Sequence, residues 1–456
     1  MKRIRWTLGI ALLALAGPVW AQEPAPAEDP QDVQRRLDEL EQKLRILERK
    51  DELDKEAAAE KAKTSASAVA GKDGFSLRSA DGNFQLKLRG YTHFDGRFFQ
   101  GDDERPATDQ FLLRRIRPIV EGTVYKIFDF RIMPDFGEGR TVLQDGYVEA
   151  RFTPAFKLRG GKFKPPVGLE RLQSATEILF VERAFPTNLV PNRDLGIQLS
   201  GDVANGTVSY AVGVFNGVVD GGNGDGDTND GKDVAARLFF TPFAKSAGPL
   251  KNLGFGVAGS TGDQEGTLAA PGLPSFRTPG QQTFFSYRAD ATAAGTVLPD
   301  GERTRFSPQG YFYYGPFGLL AEYVRSSQDV IRGTVAETLD NDAWQVAGSW
   351  VLTGGEPTYK SVNPKKVFDR AAHTYGAVEI AARYSELQID EDAFPLFANP
   401  ASSASSAKAW AVGLNWYLNK NLRWMLDYER TTFEGGAASG DREDESIVFN
   451  RFQVSF

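Results

Sequence analysis

Apolar and polar residues alternate with a period of two through most of the chain. Phe84, Leu86 and Leu88, for example, are separated by single polar residues, and residues 410–416 repeat the pattern. A period of two with one apolar face is typical of β-strands. About sixteen such segments occupy residues 84–456, at about 23 residues per strand and connection, which fits the long strands of a transmembrane barrel.

Short connections between these segments alternate with long polar ones. Tight turns are predicted at 125–128, 153–155, 204–205, 315–316 and 418–421. Long loops are predicted at 100–109, 165–194, 217–232, 328–341, 387–407 and 434–445. Tight turns on one side and long loops on the other are the layout of outer-membrane barrels. One connection, 354–375, is long where a tight turn is expected.

A helical period precedes the strands. Val33, Leu37, Leu40, Leu44 and Leu47 follow one another at alternating spacings of four and three residues. This heptad stripe predicts a short coiled coil over 31–56, followed by a linker over 57–74. A charged helix that packs on its own barrel is an open alternative. The predicted fold is therefore an all-β, antiparallel transmembrane barrel of about 16 strands over 75–456, preceded by this helix.

The first residues have the pattern of a secretory signal peptide. A basic start is followed by the apolar stretch 6–16 and by small residues up to Ala21. We predict cleavage after Ala21 and a flexible leader over 22–30, rich in Pro, Ala and Glu. There are no cysteines, so disulfides and thiolate metal sites are excluded. Export without disulfides suits the Gram-negative envelope, and we expect the barrel in the outer membrane and the coiled coil in the periplasm.

The net charge of −7 at pH 7 argues against nucleic acid as a partner. It leaves a locally basic pore open, because net charge reports on solubility rather than on a site. At the other end, Phe452, Val454 and Phe456 share one strand face, and Phe456 is the last residue. We expect this strand to close the barrel on its first strand, and Phe456 to be read by the barrel-assembly machinery.

Four long stretches, 74–90, 121–136, 161–201 and 352–385, resemble the phosphate-selective porin family of the O and P type. The resemblance implies a sixteen-stranded homotrimer that carries anions, above all phosphate, across the outer membrane. It also implies a long segment at 354–375 and a loop, here 165–194, that folds inward and narrows the pore.

Strand parity identifies candidate pore residues. If Leu88 and Ile116 face lipid, Lys87, Arg115 and Arg117 face the lumen. A lipid-facing arginine costs about 2–4 kcal/mol at mid-membrane, which favours this register. Arg114 has outward parity and is expected at an aromatic girdle or at a bulge. The predicted anion pathway combines inward strand residues with basic residues of the loop: Lys87, Arg89, Arg114, Arg115, Arg117, Arg131, Asp145, Arg151, Arg159, Lys162, Lys164, Arg171, Arg193 and Arg237.

Arginine suits such a pathway, because it stays charged at physiological pH and its planar fork matches a phosphate edge. In phosphate-specific members, the resemblance implies paired arginines, here Arg114 and Arg115, together with a loop lysine. This chain has Thr176 and Glu177 near that position, which favours anion passage over strict phosphate specificity. Inward acidic residues leave a general, weakly selective porin open.

Two further function classes compete with a porin. An outer-membrane hydrolase would need a nucleophile or water with a histidine or carboxylate partner. The chain offers His93 and His373, which the predicted strands do not bring together. A structural barrel that tethers the membrane to the cell wall would not need a constriction. The acidic stretch 220–233 resembles a calcium loop but lacks the required glycine.

We interpret 220–233 as a surface loop, with weak binding of calcium or of cations that bridge lipopolysaccharide as a minor alternative. No cofactor or metal is expected. The expected partners are small inorganic anions, membrane lipids and lipopolysaccharide.

Overall fold

The structure, a computed structural model, describes residues 29–71, 74–101, 107–227 and 229–456. The predicted signal peptide, 1–21, and most of the leader lie outside the described residues. The chain divides into two compact units, with the boundary after Ser65.

The first unit contains one helix, α1, over Pro30–Thr64. It begins where the side chain of Asp29 accepts a hydrogen bond from the backbone N–H of Gln31 at 3.0 Å. The helix extends through residues 57–64, where a linker was predicted, because these residues are mostly Ala, Glu and Lys, which favour helix. Among the described residues, no helix has the length and apolarity needed to cross a membrane.

The heptad stripe of α1 is exposed along its whole length. The stripe residues have between 38% and 63% of their surface exposed: Val33, Leu37, Leu40, Leu44 and Leu47. The coiled coil that would cover them stays a prediction.

The second unit opens with a hairpin and not with a linker. Its strands are Ser67–Gly71 and Gly74–Arg78, and the second pairs with residues 85–88. The alternation of Phe75 and Leu77 with polar residues lets this short segment extend the sheet beside the chain terminus.

Sixteen long strands form a closed antiparallel barrel, which confirms the predicted fold. Each strand pairs with its neighbours in chain order, and the last pairs with the first. The strands are β1 Phe84–Gln100, β2 Gln110–Val124, β3 Phe128–Asp135, β4 Val142–Thr153, β5 Phe156–Phe163, β6 Asp194–Val203, β7 Val208–Phe215, β8 Asp233–Phe240, β9 Asn252–Glu265, β10 Val297–Tyr314, β11 Phe317–Arg332, β12 Val335–Thr353, β13 Ala377–Gln388, β14 Ala404–Tyr417, β15 Leu422–Ala437 and β16 Glu445–Ser455.

Shorter elements lie in the connections. They are one helical turn, Leu169–Leu172; the 3₁₀ turns Gly137–Gly139, Phe185–Asn188, Ala204–Gly206, Pro249–Lys251 and Glu391–Ala393; the hairpin strands Ser275–Arg277 and Thr283–Ser286; and Gly440–Asp441 at the end of β15.

Strand β16 closes the barrel as predicted. Its residues pair with β1 from Ser446 opposite Gln100 to Ser455 opposite Tyr91. The terminal Phe456 then exchanges backbone hydrogen bonds of 2.9 and 3.0 Å with Gly90. No strand edge is therefore left open at the seam, as a spanning sheet requires.

The period of two separates a lipid-facing surface from the lumen. On β14, Trp410 and Val412 are exposed, whereas Ala411 and Asn415 are buried inside. Alanine is frequent among the inward residues of β12–β14, including Ala347 and Ala381. These small side chains leave room for a chain segment within the barrel.

The prediction of a long loop at 328–341 is wrong. This stretch forms the ends of β11 and β12 on the long-loop side of the barrel, joined by the two residues Gly333 and Thr334. Gly333 has φ of +64°, which a two-residue hairpin turn requires. The stretch resembles a loop because polar residues dominate it, yet Val330 and Leu339 alternate inward and are fully buried. A long loop lies instead between β9 and β10.

Candidate functional site

Residues 164–193, which connect β5 to β6, are here called the inner segment. They pack against lumen-facing side chains of the strands. Their central anchor is Glu182, a buried carboxylate that accepts from Arg114 at 2.6 Å and from Arg97 at 3.1 Å. Arg115 and Arg451 lie at 3.4 and 3.6 Å from the same carboxylate.

The four arginines that face Glu182 come from β1, β2 and β16, so one side chain joins the inner segment to the barrel seam. Burial opposes ionisation of Glu182, but Arg114, Arg115 and their neighbours outweigh it and hold its pKa well below the ordinary value.

Backbone groups of the inner segment are also held by strand side chains. The N–H of Val181 donates to Asp427 at 2.6 Å, and Arg423 donates to the carbonyl of Ile178 at 2.8 Å. Phe180 packs against the small inward alanines of β12–β14, with the guanidinium of Arg383 at 4.5 Å from its ring centroid. An irregular segment inside a barrel needs such partners, because its backbone has no strand neighbours.

The long connection 354–376 supports the inner segment from the short-turn side. The hydroxyl of Tyr359 donates to the carbonyl of Leu169 at 2.7 Å, and its ring stacks on Tyr311 at 4.9 Å. The side chain of Gln173 donates in turn to the carbonyl of Tyr359 at 2.7 Å. The connection that broke the turn pattern in the sequence therefore reaches the inner segment.

Two of the cavities beside the inner segment are lined by residues of β1–β8 and by neighbouring loops. The upper cavity has a volume of about 650 Å³ and is lined partly by the loops between strands. The lower cavity, of about 440 Å³, is lined by side chains deeper in the barrel. Seven of the residues that line the lower cavity are basic, and two are acidic: Arg117, Arg131, Arg159, Lys164, Arg183, Arg193 and Arg237 against Asp145 and Glu177.

Arg117, Arg183 and Arg193 line both cavities and form what we call the arginine junction. Arg117 donates to Asp135 at 2.7 Å, and Arg193 donates to Asp145 at 3.2 Å. Arg183 differs from them, because it donates to backbone carbonyls at 2.9 and 3.1 Å and forms no ion pair among the described residues. Its charge is therefore the least neutralised at the junction.

Comparison with known proteins agrees with this geometry. The sequence model of the family "Phosphate-selective porin O and P" matches residues 84–456. The chain belongs to this family. It is thus an outer-membrane porin, and the resemblance noted from its sequence is confirmed. A comparison with curated proteins gave no significant match.

Solved structures of outer-membrane channels share the fold of this porin at low sequence identity. The channel DcaP of Acinetobacter baumannii matches with a TM-score of 0.54 and 11% identity, over 86% of this chain and 100% of that one. A loop-deletion mutant of OmpT of Vibrio cholerae gives 0.52 and 12%, over 82% and 100%. An anion-selective porin from Comamonas acidovorans gives 0.50 and 9%, over 82% and 100%. These likenesses concern the barrel fold.

The porin has a bulge at its paired arginines. The pairing of β1 with β2 shifts between His93 and Phe94, so that Arg114 is the extra residue opposite this step. A bulge re-aims a side chain that strict alternation would point outward. Arg114 and Arg115 consequently both reach Glu182.

The other predicted pathway residues fall into separate groups. Arg131 pairs with Glu121 at 3.2 Å and Asp145 at 3.1 Å. Arg159 pairs with Glu149 at 2.6 Å and Arg237 donates to Gln309 at 3.1 Å, all beside the lower cavity. Near the short turns, Arg89 forms an ion pair with Glu121, and Arg151 forms one with Asp129. Lys87 lies opposite Glu121 in the pairing of β1 with β2.

The basic residues at the C-terminal end of β5 and along the inner segment donate hydrogen bonds to oxygen atoms of the protein. Lys162 pairs with Asp225, and Arg171 donates to Asn192 and to the carbonyl of Thr187. Lys164 donates to the carbonyl of Gln173 at 2.7 Å. Burial and the nearby charges of Arg193 and Arg183 lower the pKa of Lys164 well below that of an ordinary lysine. The ammonium group of Lys164 is engaged by the backbone carbonyls of Leu172 and Gln173.

Sequence reasoning did not select Glu182 or Arg183 as site residues. Both lie in a segment without strand or helix period, so no parity argument gives their direction. The resemblance of the stretch 161–201 to the family was the only signal, and it does not rank one charged residue above another.

The stretch 220–233 is exposed at residues 225–227, as expected for a surface loop, but it is buried at both ends. Asp220 is buried and accepts from Arg305 at 2.6 Å. The N–H of Asn192 donates to the carbonyl of Gly222 at 2.9 Å, which joins this loop to the inner segment. Among the described residues, no group of three or more potential ligands is arranged to hold a metal ion.

The two histidines of the porin occupy different surroundings. His93 is buried beside Arg115, with 3.3 Å between its Nδ1 and the guanidinium, whereas His373 is exposed in the connection 354–376. Neither has the nucleophile and orienting partner that acyl transfer requires within its described contacts.

Proposed function

We propose that this porin is a passive anion channel whose lumen is narrowed by the inner segment. The arginine junction carries the proposal: Arg117, Arg183 and Arg193 face both cavities, and an ion that moves between the cavities meets all three. Guanidinium groups remain charged at any physiological pH, so the attraction for anions is permanent. The excess of basic over acidic residues around the lower cavity acts in the same direction.

Phosphate is the inorganic oxyanion that the family name favours. A guanidinium fork donates two parallel hydrogen bonds to a phosphate edge, and several arginines along the path allow transfer from one to the next. Glu177 lines the lower cavity near the place where the resemblance implies a lysine. We therefore propose passage of phosphate together with other anions and not strict phosphate specificity.

Phosphate titration tests this proposal. Single channels in a planar bilayer would carry chloride current while phosphate is added. Transient occupation of the junction should block the current at roughly millimolar phosphate, the affinity of a site that must also release its ion. Ionic strength is held constant in a sulfate-free buffer. If phosphate does not block the current at any concentration, the porin is a general anion channel.

We propose that the porin acts as a homotrimer in the Gram-negative outer membrane, with α1 in the periplasm. Lipid and lipopolysaccharide would contact the exposed apolar barrel surface, and Phe456 would be read during assembly. Support for self-association comes from the heptad stripe of α1, whose leucines are exposed. Identical helices from neighbouring copies would bury these leucines as the a and d residues of a coiled coil.

Cysteine crosslinking tests the helical part of the trimer, since the natural chain contains no cysteine. Leu40→Cys places a thiol in the stripe and should give covalent dimers within the trimer under mild oxidation. The control is Gln42→Cys, on the outer face of the same heptad, which should stay monomeric on a denaturing gel. Equal crosslinking of both variants, or of neither, would contradict a coiled coil in this register.

A further inference from the structure

The lower cavity has an apolar and aromatic wall that a small inorganic anion does not use. Tyr91, Met133, Tyr147, Phe163 and Leu172 all contribute to its lining. An inorganic ion gains from charge and from N–H donors, whereas burial of apolar surface favours ligands that have apolar surface of their own. The volume of about 440 Å³ is within the range of pockets for small organic ligands.

Arginine and aromatic groups are adjacent in this wall. The guanidinium of Arg159 lies 4.3 Å from the ring centroid of Tyr147 and 5.3 Å from that of Phe163. Guanidinium planes and aromatic faces stack on one another, so this corner can receive a further flat ring. The cavity therefore offers stacking in addition to charge.

Two other arginines of the cavity have donors without a carboxylate partner. Arg183 donates to backbone carbonyls, and Arg237 donates to the amide oxygen of Gln309 at 3.1 Å. Among the described residues neither forms an ion pair, and both keep their positive charge for a ligand. A flat ring that carries one carboxylate would use the aromatic corner and these donors together.

We propose that the lower cavity is a binding subsite for small aromatic carboxylates, the chemical class of benzoate. The proposal rests on the anion-channel function and names a substrate class for it. Phosphate has no apolar surface to bury against the aromatic wall, whereas an aromatic carboxylate gains from the wall as well as from the arginines. The apolar contact therefore favours an aromatic carboxylate over phosphate at this subsite, while the excess of basic residues attracts both ions.

Block of chloride current by benzoate and by acetate tests the subsite, because the two ions carry the same carboxylate charge. Half-block by benzoate is expected at a concentration about tenfold lower than by acetate, the gain expected when an aromatic ring leaves water. Phosphate should also require a higher concentration than benzoate. Equal block by benzoate and acetate, or stronger block by phosphate, in an anion-selective pore would overturn the subsite and leave the channel function standing. A cation-selective pore would overturn both.

A matched pair of variants locates the effect. Tyr147→Ser removes a ring from the lower cavity and should bring the benzoate and acetate concentrations to within about threefold of each other. Leu273→Ser changes an apolar residue of the upper cavity and should retain the full difference. The chloride conductance of each variant checks that the barrel has folded. A Tyr147→Ser pore that conducts and keeps the full difference would contradict a lower-cavity subsite.

Discussion

Glu182→Gln is expected to release the inner segment and to raise the single-channel conductance. The substitution removes the charge that faces Arg97, Arg114, Arg115 and Arg451. Breaking a buried ion pair in this way costs about 3–5 kcal/mol, because the remaining charges are left without compensation. A sixteen-stranded barrel is an open channel when nothing fills it, so the conductance should increase by about twofold or more.

Glu177→Gln is the matched control in the same segment. Glu177 accepts from the backbone of Ser174 and forms no ion pair among the described residues. Its neutralisation should leave the segment in place and the channel stable, while anion preference increases. Single-channel conductance and the thermal unfolding of the purified porin distinguish the two variants. A Glu182→Gln channel with unchanged conductance and unchanged unfolding temperature would show that this carboxylate does not hold the segment.

Arg183→Gln is expected to lower the preference for chloride over potassium by about tenfold. A unit charge 4 Å from a passing ion is worth about 1 kcal/mol in water and more in a narrow, partly desolvated pore. Arg183 should show the largest effect at the junction, because Arg117 and Arg193 are already paired with carboxylates. The reversal potential across a salt gradient measures this preference directly.

Arg151→Gln provides the control for a general loss of positive charge. Arg151 pairs with Asp129 near the short turns and lines neither cavity. Its loss should shift the reversal potential little, since the charge is exposed and screened by salt. If both arginine variants shift the potential equally, selectivity arises from the overall field of the lumen and not from the junction.

The barrel itself could be predicted from the sequence, because one physical constraint acts on every strand. Lipid on one side and water on the other enforce a period of two, which is visible at Trp410 and Val412 without any structure. The prediction failed where strands leave the membrane. At 328–341 the outward side no longer needs apolar residues, so β11 and β12 resemble a loop although their inward residues are buried.

The site could be predicted only as far as strand parity reaches. Parity gives the inward direction of Arg117, Arg131 and Arg237, and their contacts follow from it. It cannot place Arg114, because one bulge residue changes the direction of a side chain without a signal in the local pattern. Parity also cannot single out Glu182 and Arg183 among the charged residues of the inner segment, since their positions depend on tertiary contacts with strands distant in the sequence.

The inner segment connects these observations with transport. Small inward residues on β12–β14 make room for Phe180, and buried arginines hold the backbone that follows it. In the proposed channel, the segment covers one wall of the lumen and leaves the open path along the arginine-lined cavities. On this proposal, an ion that crosses the barrel passes close to fixed positive charge.

The reversal potential of the natural porin in a potassium chloride gradient shows directly whether the channel prefers anions. The purified porin, reconstituted in a planar bilayer, would be measured with tenfold higher salt on one side. An anion channel governed by the arginine junction should give a potential of the sign set by chloride, reduced in the Arg183→Gln channel. A potential of the sign set by potassium would contradict an anion channel governed by the arginine junction.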